Sequence, residues 1–433
     1  MGPLENAPAQ YFQLKTLASF DGTNGANPNA GLILTTNGYF YGTTYSGGAS
    51  NIGVIFEITT DGSLTTPVNF NSTNGANPNA ALTQGADGFL YGSTYYGGTN
   101  VNGGTLFKFD PTNGILSPLF SFNGVSSANG KRPKAALIVG SSGVFYGSTF
   151  LGGTGYGTLF QFSAGNGLST LTSFASTNGA FPSAALTSGQ GGLLYGVTSQ
   201  GGADNLGTAF SLDTNSQTLK MLATFNGANG SIPAAPLVLG TDGYFYGTTS
   251  AGGQQNLGTV FRLSTNGDLT ALVSFLGTNG ASPNASLVLG MDGRFYGTTT
   301  QGGNTNLNGG AGFGTVFRLN PDNSVTTLIN FDSTNGALPY GALAVGNDGN
   351  LYGTTSQGGA YNDGTVFQLT PLPQPPLNIS WAGDSVILSW TNPVYSLQAA
   401  PEVTGIYTNL PESISPYTNS IAGDRRFFRL IAN

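Results

Sequence analysis

Cysteine and histidine are both absent from the 433 residues. That removes disulfides, thiolate nucleophiles, iron–sulfur clusters and zinc sites of the usual Cys/His kind. It also removes a Ser-His-Asp triad and any histidine general base. Charge is scarce as well: Asp, Glu, Lys and Arg make up 7% of the chain, against roughly 25% in an ordinary soluble domain. Only 12 residues are Lys or Arg, and the net charge is −7, so nucleic acid is not an expected partner, because phosphates are held by basic groups. No apolar run is long enough for a membrane-spanning helix. Met1 to Gln10 has no apolar signal-peptide core, so any export signal is expected to be removed or lacking.

What is abundant is glycine, 69 residues, and these are periodic. Tyr-Gly-x-Thr recurs seven times, at Tyr41, Tyr91, Tyr146, Tyr195, Tyr246, Tyr296 and Tyr352. A Gly-Gly pair follows each at a constant offset, opening at Gly47, Gly97, Gly152, Gly201, Gly252, Gly302 and Gly358. Each unit reads as four short strands. The first carries a leucine (Leu32, Leu82, Leu137, Leu186, Leu237, Leu287, Leu343) and ends in turns such as Asn37-Gly38 or Asp87-Gly88, which predict type I′ hairpins. The second is the Tyr-Gly-x-Thr segment. The third is Gly-Thr-Val-Phe-like, as at Gly258 to Phe261. The fourth shows the pattern of Leu168, Leu171 and Phe174. No helical period of ten residues occurs.

Four antiparallel strands repeated about every 40–55 residues specify a β-propeller. The fold expected is all-β, a seven-bladed propeller over residues 11–371. Leu14, Leu17 and Phe20 match the fourth-strand pattern ahead of the first unit, and the last unit lacks a fourth strand. The N-terminal strand is therefore expected to complete the seventh blade and close the ring. At Pro371 the composition changes. Both tryptophans, Trp381 and Trp390, lie beyond it. Pro371 to Pro376 reads as a stiff linker, and residues 372–433 as a small sandwich-like β-module with strands near Leu377 to Trp381, Ser385 to Trp390 and Phe427 to Ile431.

The phrase Tyr-Gly-Thr-Thr-x-x-Gly-Gly-x-x-x-x-Gly-Thr-Val-Phe, with Asn-Gly-Ala-x-Pro-x-Ala between units, resembles the GloVer tandem repeats of the "choice-of-anchor" group of exported bacterial proteins. The resemblance spans roughly residues 11–370. The tail, from Ser389-Trp390 through Tyr395-Ser-Leu-Gln398 to Phe427-Phe-Arg-Leu430, resembles a C-terminal module of exported proteins from the same bacteria. This implies a propeller that is secreted or displayed at the cell surface. It supplies no catalytic residues. The chain ends at Asn433 without the hydrophobic anchor of the anchored members, which leaves its attachment open.

Strand polarity places the loop between second and third strands, and the loop leading to the next blade, on one face at the mouth of the central channel. These loops vary, as functional loops on a rigid scaffold do. The two residues before Gly-Gly are bulky in blades one to three (Tyr45-Ser46, Tyr95-Tyr96, Phe150-Leu151) and small or polar in the rest, such as Ser199-Gln200 and Ser250-Ala251. Tyr156, and Tyr340 and Tyr361 of blade seven, extend this to an aromatic arc over blades seven, one, two and three. Blade packing alone is one explanation. A platform for a ligand is the other, since tyrosine offers a flat apolar face with a polar tip. Asn29, Asn79, Gln200 and Gln301 add amides, which suits a neutral polar ligand such as a glycan. Lys131, Arg132 and Lys134 form a basic cluster before blade three, either a solvated loop or a contact for an acidic group.

Acid chemistry has little support. Asp61, Asp87, Asp242, Asp292 and Asp348 sit in turn dipeptides, where turn geometry explains them. Asp204 and Asp363 lie on separate blades, without paired-carboxylate spacing. Gly-Gly and Asn-Gly repeats lack the Gly-Lys-Ser/Thr of a phosphate loop, and no Asp-x-Asp-x-Asp-Gly calcium loop occurs. The expectation is a monomeric, non-catalytic, exported propeller without cofactor or metal, binding a glycan-like ligand or a surface protein at its mouth. The alternatives are a structural display protein, or a metal- or carboxylate-dependent enzyme acting on polysaccharide.

Overall fold

A computed structural model describes residues 11–125, 128–140, 143–372, 376–383, 385–391, 395–402, 408–410, 414–420 and 426–432. The chain divides into two compact units, Leu14–Leu369 and Met1–Gln13 with Thr370–Asn433.

The first unit is a seven-bladed propeller. Each blade is a four-stranded antiparallel sheet, the first being Ile33–Leu34, Phe40–Thr44, Val54–Ile58 and Leu64–Asn69 in order. The seventh takes its outer strand from the other end of the chain: Tyr11–Ser19 lies beside Thr365–Leu372, followed by Leu351–Thr355 and Ala344–Val345. Closure therefore follows the sequence expectation.

Three expectations need correction. The first strands are only two residues long and begin after the repeat leucine, because the preceding Pro-x-Ala segment is committed to lining the axis. The hairpin turns are not type I′. Only the glycine has positive φ, as at Gly38 (φ 85) and Gly88 (φ 83), and Asn37 and Asp87 stay at negative φ. The Gly38 N–H donates to the Thr35 carbonyl and the Thr35 N–H to the Tyr39 carbonyl. This is a type I turn with a glycine bulge, the usual three-residue hairpin loop. Finally, the last propeller strand runs through Pro371 and Leu372, so the expected linker starts inside it. Its residues 373–375 lie outside the described residues.

Aromatic rings join the blades. The phenylalanine after each fourth strand packs against the third-strand phenylalanine of the next blade. All seven pairs, Phe20–Phe56 to Phe331–Phe367, have centroids 5.0–5.6 Å apart and steep ring angles. Such pairs contribute about 0.5–1.5 kcal/mol each beyond the area buried. The motif glycine is required for this packing. A Cβ on Gly297 would lie 2.6 Å from the Phe317 ring. The motif tyrosine turns its ring to the next blade, as Tyr91 does on Phe145 (4.1 Å) and Tyr195 on Phe245 (4.3 Å).

Inner strands are also tied by hydroxyls. Thr43, Ser93, Thr248 and Thr354 donate to the carbonyls of Ala80, Ala135, Ala285 and Ala30 of the next blade. Blades three and four lack this bond: the Ser148 Oγ is buried without a partner, and Val197 occupies the equivalent position.

The second unit holds two three-stranded sheets, Asn378–Ala382, Ser385–Ser389 and Tyr417–Ser420, and Thr408–Asn409, Tyr395–Ala400 and Phe427–Ala432. Leu388, Trp390, Leu397 and Leu430 are buried in one apolar cluster.

Candidate functional site

The two variable loops of each blade share one face, because they bond to each other. Ala26 bridges Ser46, Ala76 bridges Tyr96, Lys131 bridges Leu151, and the remaining blades repeat the bridge. The residue that follows in each Ala-x-Pro-like segment has positive φ without being glycine: Asn27, Asn77, Arg132, Phe181, Ile232, Ser282 and Leu338, at 52–57°. This conformation is costly for side-chain-bearing residues. Backbone bonds hold it. The Arg132 N–H donates to the Gly103 carbonyl of the preceding blade at 2.7 Å, and its own carbonyl accepts from the Phe150 N–H at 3.1 Å. The same pair of bonds recurs in all seven blades.

In four of the blades the side chain so held meets the preceding blade. Asn27 donates to the Ser356 carbonyl and Asn77 to the Tyr45 carbonyl. Arg132 stacks over Tyr95 and Tyr96, 5.7 and 5.1 Å from their ring centres. Phe181 meets Phe150 at 5.2 Å and Tyr156 at 6.0 Å. Tyr95 packs on Tyr96 at 4.7 Å and approaches Phe150 at 6.5 Å. Burial, and next the phenols of Tyr96 and Tyr95, raise Tyr45 above the ordinary tyrosine value.

A rail of five rings results, from Tyr96 through Tyr95, Phe150 and Phe181 to Tyr156, with Tyr45 near its Tyr96 end. Tyr45, Tyr95, Tyr96, Phe150 and Phe181 are half-buried, and Tyr156 is exposed. Phe181 is new relative to the sequence reading. Its signal was the variable residue of Ala-x-Pro, which differs between blades as much as the pair before Gly-Gly does.

The other expected residues separate. Tyr361 is 65% exposed and takes part in none of these ring contacts. Tyr340 lines the axial cavity instead. The basic cluster does not act as one. The Lys131 Nζ donates to the Gly124 carbonyl at 2.9 Å, within the loop before blade three. Arg132 belongs to the rail. Lys134 borders the axial cavity, with its Nζ 5.6 Å from the centre of the Phe150 ring.

That cavity, about 350 Å³, collects the residue after each Ala-x-Pro proline: Asn29, Asn79, Lys134, Ser183, Ala234, Asn284 and Tyr340. Lys134 is its one charged residue, and burial lowers its pKa below the ordinary lysine value. Among the described residues the one ion pair is Arg294 with Asp292, so neither Lys134 nor Arg132 meets a carboxylate.

The acids are engaged elsewhere. Asp87, Asp242, Asp292 and Asp348 accept hydrogen bonds from the motif tyrosines Tyr91, Tyr246, Tyr296 and Tyr352 at 2.6–2.8 Å. Tyr41 donates to Glu57 in the same way. Among the described residues no three His, Cys, Asp or Glu side chains are grouped to hold a metal ion.

The fold is shared with solved structures at low identity. The extracellular domain of a candidate one-component system of B. thetaiotaomicron matches 95% of this chain, with a TM-score of 0.55 and 11% identity. This chain spans about half, 54%, of that one. The GH74 enzyme of Niastella koreensis matches 92% of this chain and 60% of its own, with a TM-score of 0.53 and 16% identity. A candidate 6-phosphogluconolactonase of Bacteroides fragilis matches 93% of this chain and 98% of its own, with a TM-score of 0.50 and 15% identity. At these identities the likeness speaks to fold alone. No curated protein matches the sequence. The profile of the Gloeobacter/Verrucomicrobia repeat matches residues 6–129, 104–307 and 190–383. With seven blades built on that repeat, the chain belongs to the Gloeobacter/Verrucomicrobia repeat family.

Proposed function

We propose that this protein is a non-catalytic, exported propeller that binds a glycan-like ligand along the ring rail at its mouth. The observation that carries the reading is the continuity of the rail. Five rings from three blades meet in one sector, with Tyr45 of a fourth blade near them, while the equivalent pair is Ser250-Ala251 or Thr300-Gln301 elsewhere. Packing that served the ring alone has no reason to differ by sector. Half-exposed rings, of which the tyrosines carry polar tips, suit the apolar faces and hydroxyl rims of sugars. The non-catalytic part of the reading rests on Asp87, Asp242, Asp292 and Asp348, which are held in turns and by the motif tyrosines.

A glycan and polysaccharide binding screen on the purified protein tests this. On the ligand found, Tyr95→Ala and Tyr96→Ala are expected to weaken binding by about 1–2 kcal/mol each, the low end for truncating an anchor residue. Ser250→Ala, across the ring, should change nothing. If no glycan binds, or both tyrosine variants bind as the parent does, the reading is lost.

A further inference from the structure

Resting on the reading just given, we propose that the glycan is an acidic one, and that the axial cavity recognises its carboxylate through Lys134. Three observations converge. Lys134 borders the cavity and meets no carboxylate among the described residues. Its Nζ lies over Phe150, a ring of the rail, so Lys134 touches both the rail and the cavity. Ser183, the cavity residue of the next blade, has a buried Oγ with no hydrogen-bond partner.

Lys134, half-buried, and Ser183, with an unpaired hydroxyl, thus border the same cavity from neighbouring blades. Leaving such groups unpaired is costly, so a ligand that satisfies them gains what the apo protein forgoes. Arg132 adds a second cation on the same rail. The flanking cavity residues Asn79, Asn29 and Asn284 are amides, fitted to hydroxyls rather than to further charge. Among the described residues lining the cavity, a phosphate dianion would meet one cation, Lys134. A sugar carboxylate carries the single charge that one lysine matches, on a ring that the rail can hold.

The expected ligand is therefore a uronate-bearing polysaccharide. The test uses the whole chain with oligosaccharides of polygalacturonate, alginate and hyaluronate, each paired with its carboxyl methyl ester, in titration calorimetry. At least one acid should bind roughly tenfold more tightly than its ester, the scale of one charge-assisted hydrogen bond. Lys134→Gln should erase that preference, so that acid and ester bind alike. Ser183→Ala, a smaller change, should reduce the preference partially, and it guards against a folding defect in the lysine variant. Equal binding of acid and ester by the parent protein overturns the inference but leaves the rail reading intact. Binding of neutral glycans alone does the same. Binding of no glycan removes both.

Discussion

The main-chain N–H of Phe20 donates to the carbonyl of Gly364 at 2.9 Å. Six other phenylalanines make the same bond within continuous sequence, from Phe70 to Gly53 through to Phe331 and Gly314. Phe20 makes it across nearly the whole propeller, and its ring completes the seventh pair with Phe56. The ring is thus closed by the same contacts that join its other blades.

Closure predicts the cost of opening. Phe20 and Phe331 are both fully buried in equivalent places. Phe20→Ala and Phe331→Ala should each destabilise by about 3–5 kcal/mol, the range for emptying a buried phenylalanine site. Denaturant unfolding of both variants checks this. A Phe20 variant as stable as the parent would mean that the N-terminal strand is not part of the cooperative unit.

The tyrosine–aspartate pairs predict a response to alkali. Tyr246 and Tyr352 are pushed up to about 12, by burial first and then by their hydrogen bonds to Asp242 and Asp348. A raised folded-state value means that their stabilisation is complete below pH 10, the unfolded value, and fades as pH climbs towards 12. Asp348 works in the other direction. Burial pushes it up, but bonds from the Tyr352 hydroxyl and from Asn350 outweigh that and lower it, so its share is lost in acid. Tyrosinate absorbance followed beside circular dichroism should show phenol ionisation and unfolding together above pH 10. Tyr352→Phe should make that alkaline loss shallower. Ionisation of these tyrosines near pH 10 with the fold intact would contradict the account.

A third expectation concerns the missing hydroxyl at Val197. Its counterparts Thr43 and Thr248 bond to Ala80 and Ala285 of the next blade. Val197→Thr should find the Ala235 carbonyl in the corresponding place. Its new bond, about 0.5–1.5 kcal/mol, then offsets the loss of a methyl group. Val260→Thr, at a position apolar in every blade, should cost about 1–3 kcal/mol for an unpaired buried hydroxyl. Equal losses for the two in thermal unfolding would reject the equivalence.

Ile232 supplies a fourth. It holds φ 55 with a branched, 42% exposed side chain. Asn27 and Asn77 fill the same position and use their amides to cap a carbonyl of the preceding blade. Ile232→Asn should relieve strain and donate to Ser199, stabilising by about 1 kcal/mol. A lower melting temperature would show that the isoleucine's packing outweighs its strain.

The sequence made the blades legible because seven copies of Tyr-Gly-x-Thr and Gly-Gly leave few architectures open. Closure was legible from Leu14, Leu17 and Phe20, a fourth-strand pattern with no strands before it. The turn type was misread because Asn-Gly and Asp-Gly serve both two-residue and three-residue loops, and only the register at Thr35 and Tyr39 decides. The site was legible in part. Strand polarity put Tyr45, Tyr95, Tyr96, Phe150 and Tyr156 on one face. It carried no information that residue 132 adopts positive φ and reaches back to the preceding blade, which is what joins the cation to the rings. For the same reason Phe181 went unseen, and the basic side chains of Lys131, Arg132 and Lys134 parted to three surroundings.

At each of the seven positive-φ positions the hydrogen bonds that hold neighbouring blades run through the main chain. The side chain there varies among Asn, Arg, Phe, Ile, Ser and Leu while these main-chain bonds stay the same, and the Asn27 and Asn77 amides add a bond of their own to the joint. The backbone carries what all seven joints share, and the side chain carries what differs between them. A duplicated repeat can then diversify one residue per sector, as a combination lock changes one wheel at a time, and exchanging those seven residues alone offers a route to new specificities on an unchanged frame.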